Sequence, residues 1–426
     1  MKRQELVKMN LEVFSEKLDN GLEVYIVPIK NKHNIYATFS TKFGSTTNEF
    51  VPLGEKKLIR VPDGVAHFLE HKMFEQKDGV DPFTFFGENG ADANANTSYD
   101  KTTYLFSGLK NFKENLCFLL DYVQEPYFTD KNVEKEKGII DQERSMYQDD
   151  PFFRMYEGSL NNLIHNHPIK YPIVGTHESI YAITKEDLYK CYNTFYHPSN
   201  MFVVITGNVD YLDTLNIIKE NQKSKNFENF SKIEVKKYKE EKSVVTKKQE
   251  IEMDISIPKV SLSYKIYIKD LNYNLYEINN YIIYYLDIKL GITSKLVENL
   301  KRDGLIFEEF GLEINNIDDY LLINIFAETR DPDKLVNIIN SELCNKNVLE
   351  EDFERKKKCS ISAILTSSDS IYRINNKIMG NIIKYGRVIY NDYDLINNFK
   401  YEKMVDIINS ISFSENTVYI INPKNK

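Results

Sequence analysis

A stretch rich in lysine and glutamate, residues 221–250, interrupts this chain and limits its fold more than any other feature of the sequence. Few of its side chains could pack into a core, so we interpret it as a linker between domains. The chain has 426 residues, which is more than one hydrophobic core usually supports. We therefore predict an N-terminal domain over residues 1–220 and a C-terminal domain over residues 251–426.

The first domain mixes strand patterns with helical patterns. The strand-like segments 22–27 and 35–40 suggest an opening hairpin, and residues 91–108 suggest a second one. Residues 201–207 have the pattern of a buried strand that closes the domain. Helical periodicity marks residues 65–76, 112–122, 132–147, 152–163 and 185–195.

The second domain echoes this order loosely, without a repeat at the level of residues. Its strand-like segments lie within 251–268, 305–314 and 320–328, and its helical segments are 276–290 and 294–303. This order of elements predicts an α+β fold made of two tandem, structurally similar αβ domains, and not two doubly wound sheets.

The composition limits the partners that the protein can have. The net charge is −8 and the lysines and arginines are scattered among acids, so we expect no nucleic-acid partner. The absence of a long apolar run argues against a membrane partner. The four cysteines show no CxxC spacing, which excludes a cysteine zinc site. Because the N-terminal residues also lack the apolar core of a secretory signal, we expect a soluble, cytoplasmic protein.

The segment His67-Phe68-Leu69-Glu70-His71 has the residues and the spacing of a metal site. It lies in the predicted helix 65–76, for which Asp63 is the expected N-cap. Residues four apart on a helix project from the same face, so the two histidines can present ring nitrogens to one ion. Glu70 can reach a water on that ion and act as a general base. A histidine pair at this spacing also arises by chance, so the motif alone is a moderate indication.

A catalytic zinc ion usually takes three protein ligands and one water, so a third ligand must come from elsewhere in the chain. The predicted helix 132–147 offers Glu134, Glu136, Asp141 and Glu143. Glu136 and Glu143 are two helical turns apart and share a face. One could therefore bind the metal while the other forms a hydrogen bond to one of the metal ligands. The spacing does not decide between them. The alternative is that this helix is simply acidic and solvated.

Several segments resemble, in the same order, those of the inverzincin peptidases, which include pitrilysin, insulin-degrading enzyme and the β-subunit of mitochondrial processing peptidase. In the first half these segments are LDNGLEVYIVP, GVAHFLEHKMF, ADANANTSYDKTTYLFSG, EKEKGIIDQERSMYQDDP and FYHPSNMFVVITGNVD. In the second half, TSKLVENLKRDGLIFEEF is similar to the second, inactive αβ domain of that family. The resemblance therefore implies half of a pitrilysin-type clamshell.

The resemblance also implies which residues form the site. It implies one zinc ion per chain, bound by His67, His71 and Glu143, with Glu70 as the catalytic base. Glu136 would then support a zinc ligand from behind.

By function, the resemblance implies a zinc metalloendopeptidase that hydrolyses oligopeptides or unfolded peptide segments with zinc-activated water. Asn94 and Ala95 would lie on an edge strand that pairs with the backbone of the peptide substrate. Since the chain resembles half of the full-length enzymes, the implied partner is a second copy or a related, often catalytically silent chain. We therefore expect a homodimer or a heterodimer.

Two other functions and one other metal site stay open. The chain could be a non-catalytic structural or assembly subunit of the same fold, although its intact HxxEH motif argues against this. It could also be a zinc hydrolase of a non-peptide amide, although the predicted substrate-pairing strand favours peptides. His165 and His167 could form a second metal pair, but their spacing in a loop before Pro168 favours a structural role.

Overall fold

A computed structural model of the protein describes residues 1–227, 232–307 and 309–424. The strands are β1 (Lys2–Leu6), β2 (Leu11–Lys17), β3 (Glu23–Pro28), β4 (Ile35–Thr41), β5 (Glu49–Val51), β6 (Ile59–Arg60), β7 (Ala91–Thr97), β8 (Thr102–Gly108), β9 (Met201–Gly207), β10 (Glu234–Val235), β11 (Lys248–Met253), β12 (Lys259–Tyr267), β13 (Phe310–Ile317), β14 (Tyr320–Glu328) and β15 (Asn416–Pro423). The helices are α1 (Val65–Met73), α2 (Pro82–Glu88), α3 (Phe112–Gln124), α4 (Asp130–Asp149), α5 (Pro151–Leu163), α6 (His177–Ala182), α7 (Lys185–Phe195), α8 (Tyr211–Lys223), α9 (Leu275–Leu290), α10 (Lys295–Arg302), α11 (Pro332–Cys344), α12 (Glu350–Ser367), α13 (Ile371–Tyr385), α14 (Asp392–Asn397) and α15 (Tyr401–Ser410).

These elements form two compact units, each of which is discontinuous in sequence. Unit 1 contains Met1–Arg144, Pro172–Lys237 and Ala363–Asp394, and unit 2 contains Ser145–Tyr171, Tyr238–Ser362 and Leu395–Lys426. The units differ from the predicted domains 1–220 and 251–426, because α5 belongs to unit 2 and α13 belongs to unit 1.

Each of these two helices packs on the sheet of its own unit. In unit 1, α13 places Ile374 and Ile378 in an apolar cluster with Val204 of β9. In unit 2, α5 approaches β15 so closely that a Cβ at Gly158 would lie 2.2 Å from the ring of Tyr419. Domain boundaries that are predicted from sequence order miss this arrangement. The sheet that a helix covers is decided by its apolar face, and not by its position in the sequence.

The interpretation of residues 221–250 as a linker is wrong in part, because some of these residues pair with a strand and others are buried. Residues Glu234–Val235 form β10, which pairs with β5. Glu240 is buried, accepts backbone N–H bonds of 2.7 to 3.0 Å from residues 165–167, and pairs with Lys265 at 2.7 Å. The charge pattern cannot predict this packing, because the partner groups are distant in sequence.

Unit 1 is built on a sheet whose strand order in the described residues is β1-β2-β3-β9-β4-β8-β7. Strands β3 and β9 are parallel, and the other neighbours are antiparallel. The predicted hairpin of residues 22–27 and 35–40 is wrong, because β9 lies between β3 and β4. The second predicted hairpin is confirmed, since β7 and β8 pair from Ala91 and Gly108 to Thr97 and Thr102. Strand β7 forms the edge of this sheet.

Helices cover both faces of the unit 1 sheet, and β4 is therefore buried along its whole length. On one face, α1, α3 and α7 contribute Phe68, Leu119 and Leu188 to a large apolar cluster. On the other face, α13 packs against β4 and β9. Helix α1, which carries the HFLEH motif, contacts β7 and β8. The fold thus places the motif beside the edge strand.

Unit 2 has a sheet of strand order β11-β15-β12-β14-β13 in its described residues. Strands β11 and β15 are parallel, whereas the other neighbours are antiparallel. Helices α5 and α11 pack on β12. The strand predicted at 305–314 is displaced, because β13 begins at Phe310. Both units combine helices with a mainly antiparallel sheet, so the predicted α+β fold is confirmed.

Candidate metal centre

Helix α1 carries the motif on a segment that is buried almost completely. Phe68, Leu69 and Met73 are fully buried and hold the helix in the core of unit 1. His67 and Glu70 are each 8% exposed, so they project into a site from which most bulk water is excluded. The helix therefore presents polar groups of the motif in an environment where electrostatic interactions are strong.

The start of α1 depends on a glycine and not on the predicted N-cap. Gly64 is the N-cap residue, with φ of +89°, and a Cβ there would lie 2.6 Å from the carbonyl oxygen of Val174. The prediction that Asp63 caps the helix is wrong, because no side chain among the described residues makes a cap hydrogen bond to α1; Oδ1 of Asp63 accepts a hydrogen bond of 2.6 Å from Asn48 instead. Only glycine fits at this position, because φ is positive and the two backbone segments approach too closely for a side chain.

Three side chains converge on one point beside α1. The rings of His67 and His71 have centroids 4.6 Å apart. Glu143 of α4 places Oε1 3.7 Å from Nε2 of His67, and Oε2 3.4 Å from Nε2 of His71. One ligand atom from each residue lies within 4.8 Å of the other two. The structure thus brings together the three residues predicted as metal ligands.

This arrangement fits a zinc ion. Two imidazole nitrogens and one carboxylate oxygen are a common donor set of catalytic zinc, and donor atoms on one tetrahedral ion lie about 3.4 Å apart. Burial, together with the neighbouring His71, lowers the pKa of His67 to about 4, so its ring is neutral at neutral pH, as a metal ligand must be. Among the described residues this is the cluster of histidine, cysteine and carboxylate groups that could hold a metal.

Glu136 faces Nδ1 of His71, whereas the other ring nitrogen, Nε2, faces Glu143. Its Oε1 is 3.1 Å from Nδ1 of His71, so the ring can donate from Nδ1 and keep Nε2 for the metal. Burial alone would lower the pKa of His71, but the bonds to Glu136 and Glu143 outweigh it and raise that pKa to about 9. The two carboxylates therefore favour positive charge at this position, which a bound zinc ion would supply in place of the proton on Nε2.

Lys72 extends this chain of contacts and was not singled out from the sequence. Its side chain is fully buried, its Nζ is 3.5 Å from Oε2 of Glu136, and it also pairs with Glu75. The sequence held one indication of this burial: Lys72 directly follows the motif and lies between the buried Leu69 and Met73. The ammonium group thus contacts the second carboxylate oxygen of Glu136, while His71 contacts the first.

We expect Lys72→Met to weaken zinc binding by about 10-fold, because Glu136 loses the charge that holds it against His71. Competition with a chromogenic chelator measures this affinity. Glu75→Gln is the matched control, since it removes the other partner of Lys72 and leaves Glu136 in place. Equal zinc affinity of Lys72→Met and the wild type, with both folded by circular dichroism, would contradict the role of Lys72.

Glu70 lies in the same site with a proton affinity suited to a general base. Its Oε2 accepts a hydrogen bond of 2.7 Å from Oγ1 of Thr97. Burial raises the pKa of Glu70, while the Thr97 hydroxyl and the nearby His71 act in the opposite direction. A carboxylate with a raised pKa takes a proton more readily at neutral pH than an exposed glutamate does.

The predicted substrate-binding residues lie on β7, the edge strand. Asn94 is exposed and Ala95 is half-buried. The backbone N–H of Ala95 donates to Oδ1 of its neighbour Asn94 at 2.8 Å. Thr97, at the end of the same strand, contacts Glu70, so the open edge of the sheet leads to the metal centre. The contact between Thr97 and Glu70 was not predicted from the sequence.

His165 and His167 make structural contacts. Nδ1 of His167 accepts a hydrogen bond of 3.2 Å from the backbone N–H of Ile169, where it caps the turn Pro168–Lys170. The backbone N–H of His165 donates to Glu240. These contacts agree with the structural role predicted for this pair.

Comparisons with known proteins identify the family of the chain. The profile described as Insulinase (Peptidase family M16) matches residues 60–177, which contain His67, Glu70, His71 and Glu143. The profile Peptidase M16 inactive domain matches residues 182–358. The uncharacterized zinc protease YmfH of Bacillus subtilis (strain 168) is 40% identical over 374 residues, which cover 86% of each chain. The chain belongs to peptidase family M16.

Other M16 relatives match along almost the whole chain. An uncharacterized zinc protease of Rickettsia bellii is 25% identical over 433 residues, covering 98% of this chain and 99% of the relative. The crystal structure of an M16-like peptidase from Alicyclobacillus acidocaldarius superposes with a TM-score of 0.92 at 31% identity, covering 98% of this chain and 100% of that one. Both matches extend over nearly the whole of this chain and of the relative.

Pitrilysin shows how this length relates to larger members. Its crystal structure shares the fold at 18% identity and a TM-score of 0.75, and this chain covers 46% of it. The protein is thus a half-length, pitrilysin-type member of family M16. In the part of the chain that the structure describes, no helix has both the length and the apolar character needed to cross a membrane.

Proposed function

We propose that this protein is a zinc metalloendopeptidase that hydrolyses oligopeptides or unfolded peptide segments and binds one zinc ion per chain. The observation that carries the proposal is the convergence of His67, His71 and Glu143, with ligand atoms within 4.8 Å of one another, beside the buried carboxylate of Glu70. The relatives named as zinc proteases support it.

The residues of the centre suit peptide hydrolysis. A bound zinc ion would supply Lewis acidity, which activates water and polarises a peptide carbonyl. His67, His71 and Glu143 would hold the ion, and Glu136 keeps the ring of His71 in the required orientation. Glu70 takes the proton of the attacking water and returns it to the leaving amine nitrogen.

The substrate would bind as an additional strand on β7. Backbone pairing at a sheet edge accepts many side chains, but it requires an extended peptide. The bond from Ala95 N–H to Oδ1 of Asn94 marks a backbone donor that a substrate carbonyl could take over. Oligopeptides and unfolded segments can adopt this conformation, whereas the interior of a folded protein cannot.

We also propose a dimer, either of two copies or with a related, catalytically silent chain. The support is that this chain covers 46% of pitrilysin, so a second chain would supply the other half. Light scattering after size exclusion, with a monomer mass of 50.0 kDa as the reference, tests the homodimer.

We propose a cytoplasmic location. It is supported by the four cysteines, which are all free, as expected in a reducing compartment: Cys117, Cys191, Cys344 and Cys359.

Digestion of a diverse peptide mixture, followed by mass spectrometry, tests the proposed activity. The purified wild type and Glu70→Gln are compared, and zinc is quantified in both. We expect cleavage by the wild type alone and about one zinc per chain in each protein. Removal of zinc by a chelator is expected to abolish cleavage, and its return to restore it.

Other outcomes separate the alternatives. If neither protein cleaves but both bind one zinc ion, a non-catalytic subunit or the need for a partner chain becomes the better explanation. If neither protein binds zinc, the proposed function is wrong.

A further inference from the structure

Thr97, the last residue of β7, joins the edge strand to the candidate base on α1. Its Oγ1 donates a hydrogen bond of 2.7 Å to Oε2 of Glu70. Because Glu70 is only 8% exposed, bulk water is poorly placed to replace this bond. The orientation of the Glu70 carboxylate therefore depends on a side chain of the strand that would bind the substrate.

A buried neighbour fixes the direction in which the Thr97 hydroxyl donates. Oγ1 of Thr102 donates to the carbonyl oxygen of Phe43 at 3.0 Å, so the proton of Thr102 is already used. Oγ1 of Thr97 is 3.3 Å from Oγ1 of Thr102 but 2.7 Å from the carboxylate. The single proton of Thr97 goes to the nearer and negatively charged oxygen.

The buried tyrosines near Glu70 do not hold its carboxylate by a hydrogen bond. The hydroxyl of Tyr104 is paired with that of Tyr196, at 2.8 Å. The hydroxyl of Tyr122 is buried and has no hydrogen-bond partner among the described residues. With Oε2 held by Thr97, Oε1 of Glu70 stays available to the reacting water.

We propose that Thr97 is a positioning residue for the general base, which holds Oε2 of Glu70 so that Oε1 faces the metal centre. This proposal rests on the proposed peptidase function. A positioning role predicts that loss of the hydroxyl lowers kcat, because the proton acceptor is misplaced, and leaves KM unchanged, because the backbone of β7 still pairs with the peptide.

Kinetics of three variants on a fluorogenic peptide test this role. Thr97→Val keeps the shape and the strand preference of threonine and should lower kcat by about 10- to 100-fold, with KM and zinc affinity unchanged. Thr97→Ser keeps the hydroxyl and should recover most of the wild-type kcat. Ser98→Ala removes the adjacent hydroxyl, which bonds Asp100 and not Glu70, and is the control that should leave kcat unchanged. A loss seen in KM, or no recovery in Thr97→Ser, would overturn the proposal.

Crystal structures of the zinc-loaded wild type and Thr97→Val give a test that does not need activity. We expect one orientation of the Glu70 carboxylate in the wild type. In the variant we expect the carboxylate to be rotated or to occupy two alternate conformations. An unchanged carboxylate in Thr97→Val overturns the positioning role even if the wild type cleaves peptides. Absence of zinc and of cleavage in the wild type overturns the proposed function instead.

Discussion

Glu70→Gln is expected to lower kcat for peptide hydrolysis by about 10²- to 10⁴-fold while the protein keeps its zinc. The amide has nearly the shape of the carboxylate, and its oxygen can still accept the hydrogen bond from Thr97. It cannot take a proton from water at neutral pH. The change therefore removes the general base and leaves the packing of α1, where Glu70 is 8% exposed, almost unaltered.

A continuous fluorogenic assay measures kcat, and metal analysis of the same samples measures zinc. Glu134→Gln is the matched control, because it makes the same chemical change on α4 at a side chain that is 69% exposed and paired with Lys137. Its kcat should equal that of the wild type. Activity of Glu70→Gln within a few-fold of the wild type would contradict the role of Glu70, whereas loss of zinc would show that the variant reports on metal binding.

The parts of the fold that the sequence predicts well are those set by local periodicity. The helix of the HFLEH motif, the hairpin of β7 and β8, and β9 lie close to their predicted positions. The pairing of β3 with β4 was wrong because β9, from residues 201–207, inserts between them. Such pairing depends on residues far apart in sequence, which neither strand pattern contains.

In the candidate site, too, the sequence predicts the features set by local periodicity and not those set by tertiary contacts. Helical spacing places His67 and His71 on one face, and it places Glu136 and Glu143 on one face of another helix, but it leaves the roles of the two carboxylates open. In the structure the two carboxylates lie near different ring atoms, since Glu143 faces Nε2 of both histidines and Glu136 faces Nδ1 of His71. These are tertiary distances, and the resemblance to known peptidases had implied the same arrangement.

Residues that act through a neighbour were harder to find. Lys72 directly follows the motif, but the sequence does not show that it is buried, because its burial depends on the two glutamates that neutralise it. The same is true of Glu240, which lies in a stretch that the sequence presents as a charged linker. A buried charge can be recognised only when its partner is known, and the partner of Glu240 is Lys265 of β12.

Lys265→Met is expected to lower the free energy of unfolding by about 3–5 kcal/mol, because it leaves the buried carboxylate of Glu240 without its countercharge. Both side chains are almost completely inaccessible to water, and Nζ of Lys265 also donates to the carbonyl oxygens of Leu163 and Ser243, at 3.1 and 3.0 Å. Urea denaturation followed by circular dichroism measures the loss.

Two further variants show whether the cost comes from the buried charge. Lys269→Met removes an exposed lysine that pairs with Asp319, and it should change the stability little. Adding Glu240→Gln to Lys265→Met should restore part of the stability, because the uncompensated charge is removed while an amide oxygen remains to accept a backbone N–H bond from residues 165–167. If Lys265→Met costs no more than Lys269→Met, the pair does not stabilise unit 2, and the packing of the segment around Glu240 must depend on its apolar neighbours.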